Sequence, residues 1–363
     1  MQNQSKKTIH TWIWISFCFF ILTIGILTFV STKNNHRDLQ TYSITFTDVG
    51  FDTPVQFQAT CSKKQFSKYS KIVEKTYKEQ NNIFDPYSKK SLLYKINQAD
   101  SGKEISINKD FKTCFDLSIK ANTLCSSFDI SQGNVLQLWH SIRESEKPHL
   151  PTQNELSQAQ MHQGLDQFQI KKNKISKKDA EAKLDLGGIA KGYASELCKQ
   201  KLNNAGLHNG FINAGGNVVL LGEKSDGSDW TIGIQNPETN ASLLQFTTSR
   251  PLSMVTSGDY QRFVEIKGKN YSHIIDPKTG YPAHFMRSVT IIDEDSAWAD
   301  AMSTSLFCMD VDQGIQFCKE NHLQAVWITD KETEVNEKPI LKTKQFNIYA
   351  TSSIQKDLKL SHN

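Results

Sequence analysis

The stretch LDLGGIAKGYASELCKQKL, residues 184–202, decides how this chain is read. Its first part alternates, with Leu184 and Leu186 on either side of Asp185. Gly187-Gly188 follows, and then apolar residues recur at helical spacing through Ala194, Leu197 and Leu202. The pattern predicts a strand over residues 183–186 turning directly into a helix. Paired glycines let backbone groups approach a phosphate, and a helix N-terminus offers unpaired N–H groups with a favourable dipole. Lys191 stands one turn into that helix and would add charge or contact a cofactor. The spacing matches neither of the familiar glycine-rich phosphate motifs, so a tight structural turn with a solvated Lys191 stands beside the ligand reading.

Working outward, GFINAGGNVVLLG (residues 210–222) places a Gly-Gly step between two apolar runs, which predicts a hairpin turn or a second close approach to ligand. TSGDYQRF (256–263) and YSHIIDPKTGYP (271–282) follow. In the second, Asp276-Pro277 and Gly280 are turn residues. His273 is either a core histidine or part of a polar site with Ser257, Asp259, Tyr260 and Arg262. In SAWADAMSTSLFCM (296–309) Ser296 is expected as a helix N-cap. Asp300 and Thr304, four residues apart, then share one helix face. A carboxylate with a hydroxyl is hard oxygen ligation that suits Mg²⁺ and leaves positions for phosphate and water. An exposed Asp with a Thr bonded back to its own helix is the bland alternative.

Upstream, residues 41–61 alternate as a strand or hairpin, residues 66–82 read as a helix, and FDPYSKKSLLYKINQ (84–98) begins in a proline-containing loop. Residues 111–126 form an amphipathic helical pattern. Residues 143–164 read as a polar surface excursion, and residues 168–175 as a short strand. From residue 183 to about 310 the expected order is strand, helix, strand, strand, loop, helix. No tandem repeat or low-complexity linker divides the chain, so the fold class is α+β, a mixed α/β single catalytic unit.

These motifs, in this order, resemble the ApbE family, the FAD:protein FMN transferases. The resemblance rests on FDT (51–53), FDPYSKKSLLYKIN (84–97), SSFDISQGNVLQLW (126–139), LDLGGIAKGYASE, GFINAGGNVVLLG, TSGDYQRF, SHIIDPKTGYP and ADAMST (299–304). It covers roughly residues 43–330 and implies an ApbE-like fold. It also implies transfer of the FMN half of FAD to a threonine, or sometimes serine, hydroxyl of a target flavoprotein, with release of AMP. By the family pattern Mg²⁺ would be held by Asp300, Thr304 and a backbone oxygen at Gly188, with Ser303 as a fourth contributor where some relatives place an acid. FAD contacts carried over by position are Phe51, Tyr87, Ser127, Phe128, Asp129, Asp185, Lys191 and Ile274. His273 takes the acid/base or phosphate-positioning role, because an ordinary imidazole titrates near working pH. Many relatives carry Met-Gly-Thr where this chain has Phe51-Asp52-Thr53. The implied partners are acceptor redox flavoproteins with a D-G-x-[ST]-G-[AT] motif, a motif this chain itself lacks. A Mg²⁺-dependent FAD pyrophosphatase and an FAD-binding or storage module are the competing functions; retention of both Asp300 and Thr304 argues against passive storage.

The chain has 363 residues and a net charge of +4, with 38% hydrophobic and 10% aromatic residues. That balance gives no reason to expect a nucleic-acid partner and excludes disorder over most of the length. The mean hydropathy of −0.48 hides the N-terminus. Residues 12–30 read WIWISFCFFILTIGILTFV, and no formal charge falls between Lys7 and Lys33. The run approaches the roughly 20 apolar residues of a membrane-spanning helix. It exceeds the roughly 7–15 of a signal-peptide core, and Val30-Ser31-Thr32 is a poor cleavage site. Phe17 before Cys18 argues against a lipoprotein. Lys6 and Lys7 place the N-terminus in the cytoplasm and the body outside the cell membrane. The expected organisation is therefore a cytoplasmic start (1–10), a transmembrane anchor (11–30), a tether (31–42), the catalytic domain (43–345) and a C-terminal tail (346–363). Six cysteines in the body include no C-x-x-C pair, so buried thiols are favoured over a metal site.

Overall fold

The computed structural model describes residues 39–361. Residues 1–38 lie outside them, and with these the expected cytoplasmic start, the anchor and most of the tether. No helix among the described residues is long and apolar enough to cross a membrane.

The described chain opens on an antiparallel pair, β1 (Gln40–Phe46) and β2 (Val55–Cys61), so the last tether residues already belong to a strand. Alternation of Val55, Phe57, Ala59 and Cys61 buries one face of β2. Ser62 and Gln65 form a capping box that starts α1 (Lys63–Phe84), which packs on that face through Tyr69, Val73 and Tyr77. There follow α2 (Leu92–Asn97), β3 (Ile105–Ser106), α3 (Lys109–Leu124) and α4 (Gly133–Arg143). Residues 143–164 are more than a surface excursion. They contain α5 (Gln153–Met161), started by a Thr152–Glu155 capping box and fastened by Leu156, which is buried in a cluster with Trp139. β4 (Phe168–Lys171) and β5 (Lys174–Lys177) make a hairpin.

Residues 183–186 are not the strand their alternation predicts. Their backbone partners are not a neighbouring strand. The Asn97 side chain bonds both Leu184 N (2.9 Å) and Leu184 O (2.8 Å), and Asp185 N donates to Ile130 O (2.8 Å). The helix that follows is as expected: α6 (Gly187–Asn204). β6 (Phe211–Ala214) and β7 (Asn217–Leu220) form the predicted hairpin, its two-residue turn made by Gly215 and Gly216, both with positive φ.

The rest of the chain holds more strands than the sequence suggested. β8 (Trp230–Gln235), β9 (Ser242–Thr248), β10 (Ser253–Gly258), β11 (Phe263–Ile266), β12 (Lys269–Ser272) and β13 (Ser288–Asp293) precede α7 (Ser296–Phe307). The cap of α7 is Asp295, not Ser296: Asp295 Oδ1 accepts from Ala297 N (2.8 Å) and Trp298 N (3.2 Å). Then come α8 (Val311–Glu320), β14 (Gln324–Asp330), β15 (Leu341–Lys342), β16 (Phe346–Ala350) and β17 (Leu358–Leu360). Residues 346–361 are therefore not a tail. β16 pairs with β14 inside the main sheet, and β17 pairs with β9.

Nine strands form one sheet in the order β1-β2-β6-β7-β10-β13-β14-β16-β15, with every neighbouring pair antiparallel. This confirms the α+β class. The central strands are covered on both faces, which explains their nearly continuous apolar sequences. Val255, Val289, Ile291 and Trp327 face the helices, while Met254, Ile292, Val326 and Ile328 face the β8–β9 hairpin through Trp230, Ile232 and Phe246. The six described body cysteines are all buried and unpaired.

On the helical side α6 crosses α7 at very short range. A Cβ added at Gly192 would stand 2.3 Å from Ser296 O and 2.5 Å from Asp300 Cβ, so only glycine fits there. Gly192→Ala should force the helices apart and cost about 1–3 kcal/mol, the usual range for overpacking. Urea unfolding checks this, and an unchanged midpoint would contradict the close crossing.

Candidate active site

The α6–α7 crossing brings the two sequence segments with the most chemistry together. Asp300 is 5% exposed, and its Oδ2 accepts from Gly192 N at 2.7 Å, while Lys191 Nζ lies 3.6 Å from Oδ1. One turn on, Thr304 Oγ1 donates toward Gly188 O (3.3 Å) and Asp300 O (3.2 Å). A Cβ at Gly188 would lie 3.1 Å from Phe128 Cε2 and 3.2 Å from Thr304 Oγ1, so the missing side chain leaves room for this carbonyl beside the hydroxyl. The group combines a carboxylate, a hydroxyl and a carbonyl, all oxygen. Among the described residues no cluster of three or more His, Cys, Asp and Glu could hold a metal. The oxygen set therefore suits a hard cation that also takes phosphate oxygens, as Mg²⁺ does, and does not suit zinc.

These groups open into a cleft of about 900 Å³. Phe51, Tyr87, Phe128, Asp129, Asp185, Gly188, Lys191, His273, Ile274, Asp300 and Thr304 all line it. Two expected residues do not. Ser127 is buried away from the cleft, and Ser303 is fully buried, its Oγ donating to Asp300 O (2.9 Å) and sharing a hydrogen bond with Ser257 Oγ (2.9 Å). Ser303 thus braces the helix that carries Asp300.

Local rules place the remaining side chains. Asp185 Oδ1 accepts from Gly187 N (2.7 Å) at the start of α6, and burial raises its carboxyl against the pull of that N–H. Asp85 Oδ1 accepts from Tyr87 N (2.8 Å) and Ser88 N (3.0 Å), a turn that holds the Tyr87 ring stacked on His140 at 4.1 Å. Asp129 is tied down by Ser131 N and Oγ (both 2.7 Å) and by Gln163 Nε2 (3.1 Å). Phe51 sits in a left-handed run, Gly50, Phe51 and Asp52, with φ of 98°, 59° and 46°. Asn81 Oδ1 accepts from Phe51 N (2.9 Å), and Arg262 Nη2 donates to Phe51 O (2.9 Å) and Asp52 O (2.8 Å). These bonds offset the cost of that backbone.

The cleft carries charge of both signs, with Lys191, Arg143 and Arg262 set among Asp52, Asp85, Asp129, Asp185 and Asp300. Burial and the Arg262 guanidinium push the Lys191 ammonium down, while Asp300 pulls it up. His273 is also pushed down: burial first, then Arg262, lower it to about 4. Its Nδ1 lies 3.1 Å from Arg262 O. A neutral ring donating Nδ1–H to that carbonyl keeps Nε2 as an acceptor. Arg143 and His140 also line the cleft but were not among the expected site residues; Arg262, named only as one member of a polar site with His273, lines it too. Arg262 stood in the quoted TSGDYQRF run, yet its reach back to residues 51–52 has no sequence signal. Asp259 from the same run turns away to Arg287 Nε at 2.8 Å.

The described region matches the model of the ApbE family over residues 41–327. The FAD:protein FMN transferase of Vibrio cholerae is 30% identical over 259 residues, covering 70% of this chain and 78% of that protein. The Haemophilus influenzae FAD:protein FMN transferase is 30% identical over 69% of this chain and 75% of its own length. Among solved structures, the flavin transferase ApbE from Vibrio cholerae superposes with a TM-score of 0.75 at 25% identity, covering 88% of this chain and 99% of that one. The ApbE protein of Thermotoga maritima gives 0.72 at 28% identity, covering 79% and 94%. The chain is an enzyme of the transferase class. It belongs to the ApbE family.

Because the native imidazole resists protonation until about pH 4, while an unfolded one titrates near 6.5, the unfolded chain binds more protons within that window. Stability contributed by neutral His273 is complete above about 6.5 and is lost as pH falls toward 4. His273→Gln should flatten this part of the unfolding free energy between those pH values. Parallel profiles for both proteins would contradict the buried neutral state.

Proposed function

We propose that this enzyme transfers the FMN moiety of FAD to a threonine or serine hydroxyl of an acceptor flavoprotein, with Mg²⁺ and with release of AMP. The observation that carries the reading is the convergence of Asp300, Thr304 and Gly188 O with Lys191, Arg262 and His273 on one cleft. Family membership and the relatives' names support it. Asp300, Thr304 and Gly188 O would hold the cation, which when bound neutralises pyrophosphate charge in the way typical of phosphoryl transfer.

The chain's own residues supply the rest. Lys191 and Arg262 provide cationic and hydrogen-bonding groups for the pyrophosphate. Neutral His273 offers Nε2 to the acceptor hydroxyl. As its oxygen bonds to the flavin-side phosphorus, the hydroxyl proton passes to Nε2 and the P–O bond to the AMP phosphate breaks. AMP leaves as the anion, and His273 returns the proton to solvent or product. Aromatic Tyr87 and Phe51 line the cleft where a ring system can stack.

The full chain in detergent, incubated with FAD, Mg²⁺ and an acceptor bearing the D-G-x-[ST]-G-[AT] motif, should add one FMN by intact mass. EDTA should stop the reaction, and Asp300→Ala should slow it by about 100-fold or more. Free FMN beside an unmodified acceptor would instead establish FAD hydrolysis.

The apolar run at residues 12–30 supports a single-pass anchor in the cell membrane with the body on the outer side. Protease added to intact cells should then digest an epitope at the C-terminus. Protection of that epitope would overturn this orientation.

A further inference from the structure

Helix α1 carries lysines 64, 68, 71, 75 and 78, spaced four, three, four and three residues apart. That spacing keeps them on one face along about 21 Å of helix. All five are exposed; the Lys75 side chain is 76% accessible and that of Lys78 49%. The opposite face, with Tyr69, Val73, Thr76, Tyr77 and Gln80, is the one buried in the body. Acidic neighbours sit at the margins, with Asp48 near the Lys78 end of the stripe. Glu74 pairs with Lys78 at 2.8 Å, while Glu79 pairs with Lys75 at 3.7 Å and with Lys201 of α6 at 3.3 Å. With Lys201, six basic groups stand against Glu74, Glu79 and Asp48, which leaves three net positive charges on this side.

We infer that this stripe docks the enzyme on a membrane surface carrying anionic phospholipid headgroups. The inference rests on the anchor reading above. Residues 31–39 separate the apolar run from β1, a reach of at most about 30 Å. β1 in turn lies beside the start of α1, with Gln40 paired to Cys61 next to the Ser62 cap and the Tyr42 and Phe66 rings 5.2 Å apart. The tether therefore delivers the membrane to the N-terminal end of the stripe. Leu39, just before the edge strand β1, and Ile44 within it are also exposed beside the stripe, apolar groups that fit a headgroup boundary. Each net positive charge near such a surface favours contact about fivefold, so three give a bias on the order of 100-fold at low salt.

The test places the full chain in vesicles of phosphatidylcholine alone or of equimolar phosphatidylcholine and phosphatidylglycerol, and follows acetylation of lysines by peptide mass spectrometry. The five stripe lysines should react several-fold more slowly in the anionic vesicles, with protection reversed by high salt, while exposed Lys331 and Lys359 react equally in both. Lys68→Glu with Lys71→Glu should abolish protection at Lys64, Lys75 and Lys78 without changing FAD turnover in detergent. Equal reactivity in both lipids overturns the proposal. So does protection given only by an acidic acceptor protein, which would assign the stripe to a protein partner. Retention of the chain after an alkaline carbonate wash reports on the anchor separately, since lysine protection is read on unwashed vesicles.

Discussion

The hydrogen bond from Gly192 N to Asp300 Oδ2, at 2.7 Å, joins the fold to the chemistry. It forms only because α6 and α7 cross where a side chain on residue 192 has no room. The same crossing sets Thr304 Oγ1 against Gly188 O and leaves Lys191 facing the other oxygen of Asp300. A buried carboxylate without such partners would be costly and would shed its charge. With an N–H donor on one oxygen and an ammonium 3.6 Å from the other, the Asp300 side chain is fixed in one orientation at the head of the cleft.

The rest of the architecture serves that crossing. α7 is buried nearly all round, so its sequence of alanines, serines and a few large apolar residues fits between α6, α3 and the central strands. Ser303 and Ser257 share a hydrogen bond between α7 and β10, a polar fastening that gives the Ser257 hydroxyl a partner at the buried contact. Across the cleft Arg262 performs three tasks. It holds the left-handed backbone at residues 51–52, lowers His273, and adds positive charge opposite Asp300.

Much of this was legible in the sequence, for physical reasons. The Gly187-Gly188 hinge, the helix after it, the Gly215-Gly216 hairpin and the Asp300/Thr304 face follow from local conformational preference and periodicity. The strand order did not follow. β8 and β9 are of ordinary length, but the segments around them carry turn residues that mask the pairing. Residues 183–186 read as a strand because Leu184 and Leu186 alternate with Lys183 and Asp185, but Asn97 and Ile130 supply their partners from afar. Residues 346–361 read as a tail because their pairing with β14 and β9 is long-range. In the site, Ser303 shares the motif with Thr304 yet points into the protein, since adjacent helix positions face about 100° apart. Arg143 and His140 line the cleft only through tertiary placement of α4.

The central claim is that Thr304, Asp300 and Gly188 O form one cation site assembled by the helix crossing. Electron paramagnetic resonance of Mn²⁺ added to the FAD-loaded full chain tests it most directly, with Thr304→Val as the comparison, because valine keeps the shape and removes only the hydroxyl. The account predicts tight Mn²⁺ binding by the parent and marked weakening in Thr304→Val at an unchanged unfolding temperature. Equal Mn²⁺ affinity in the two proteins would contradict it.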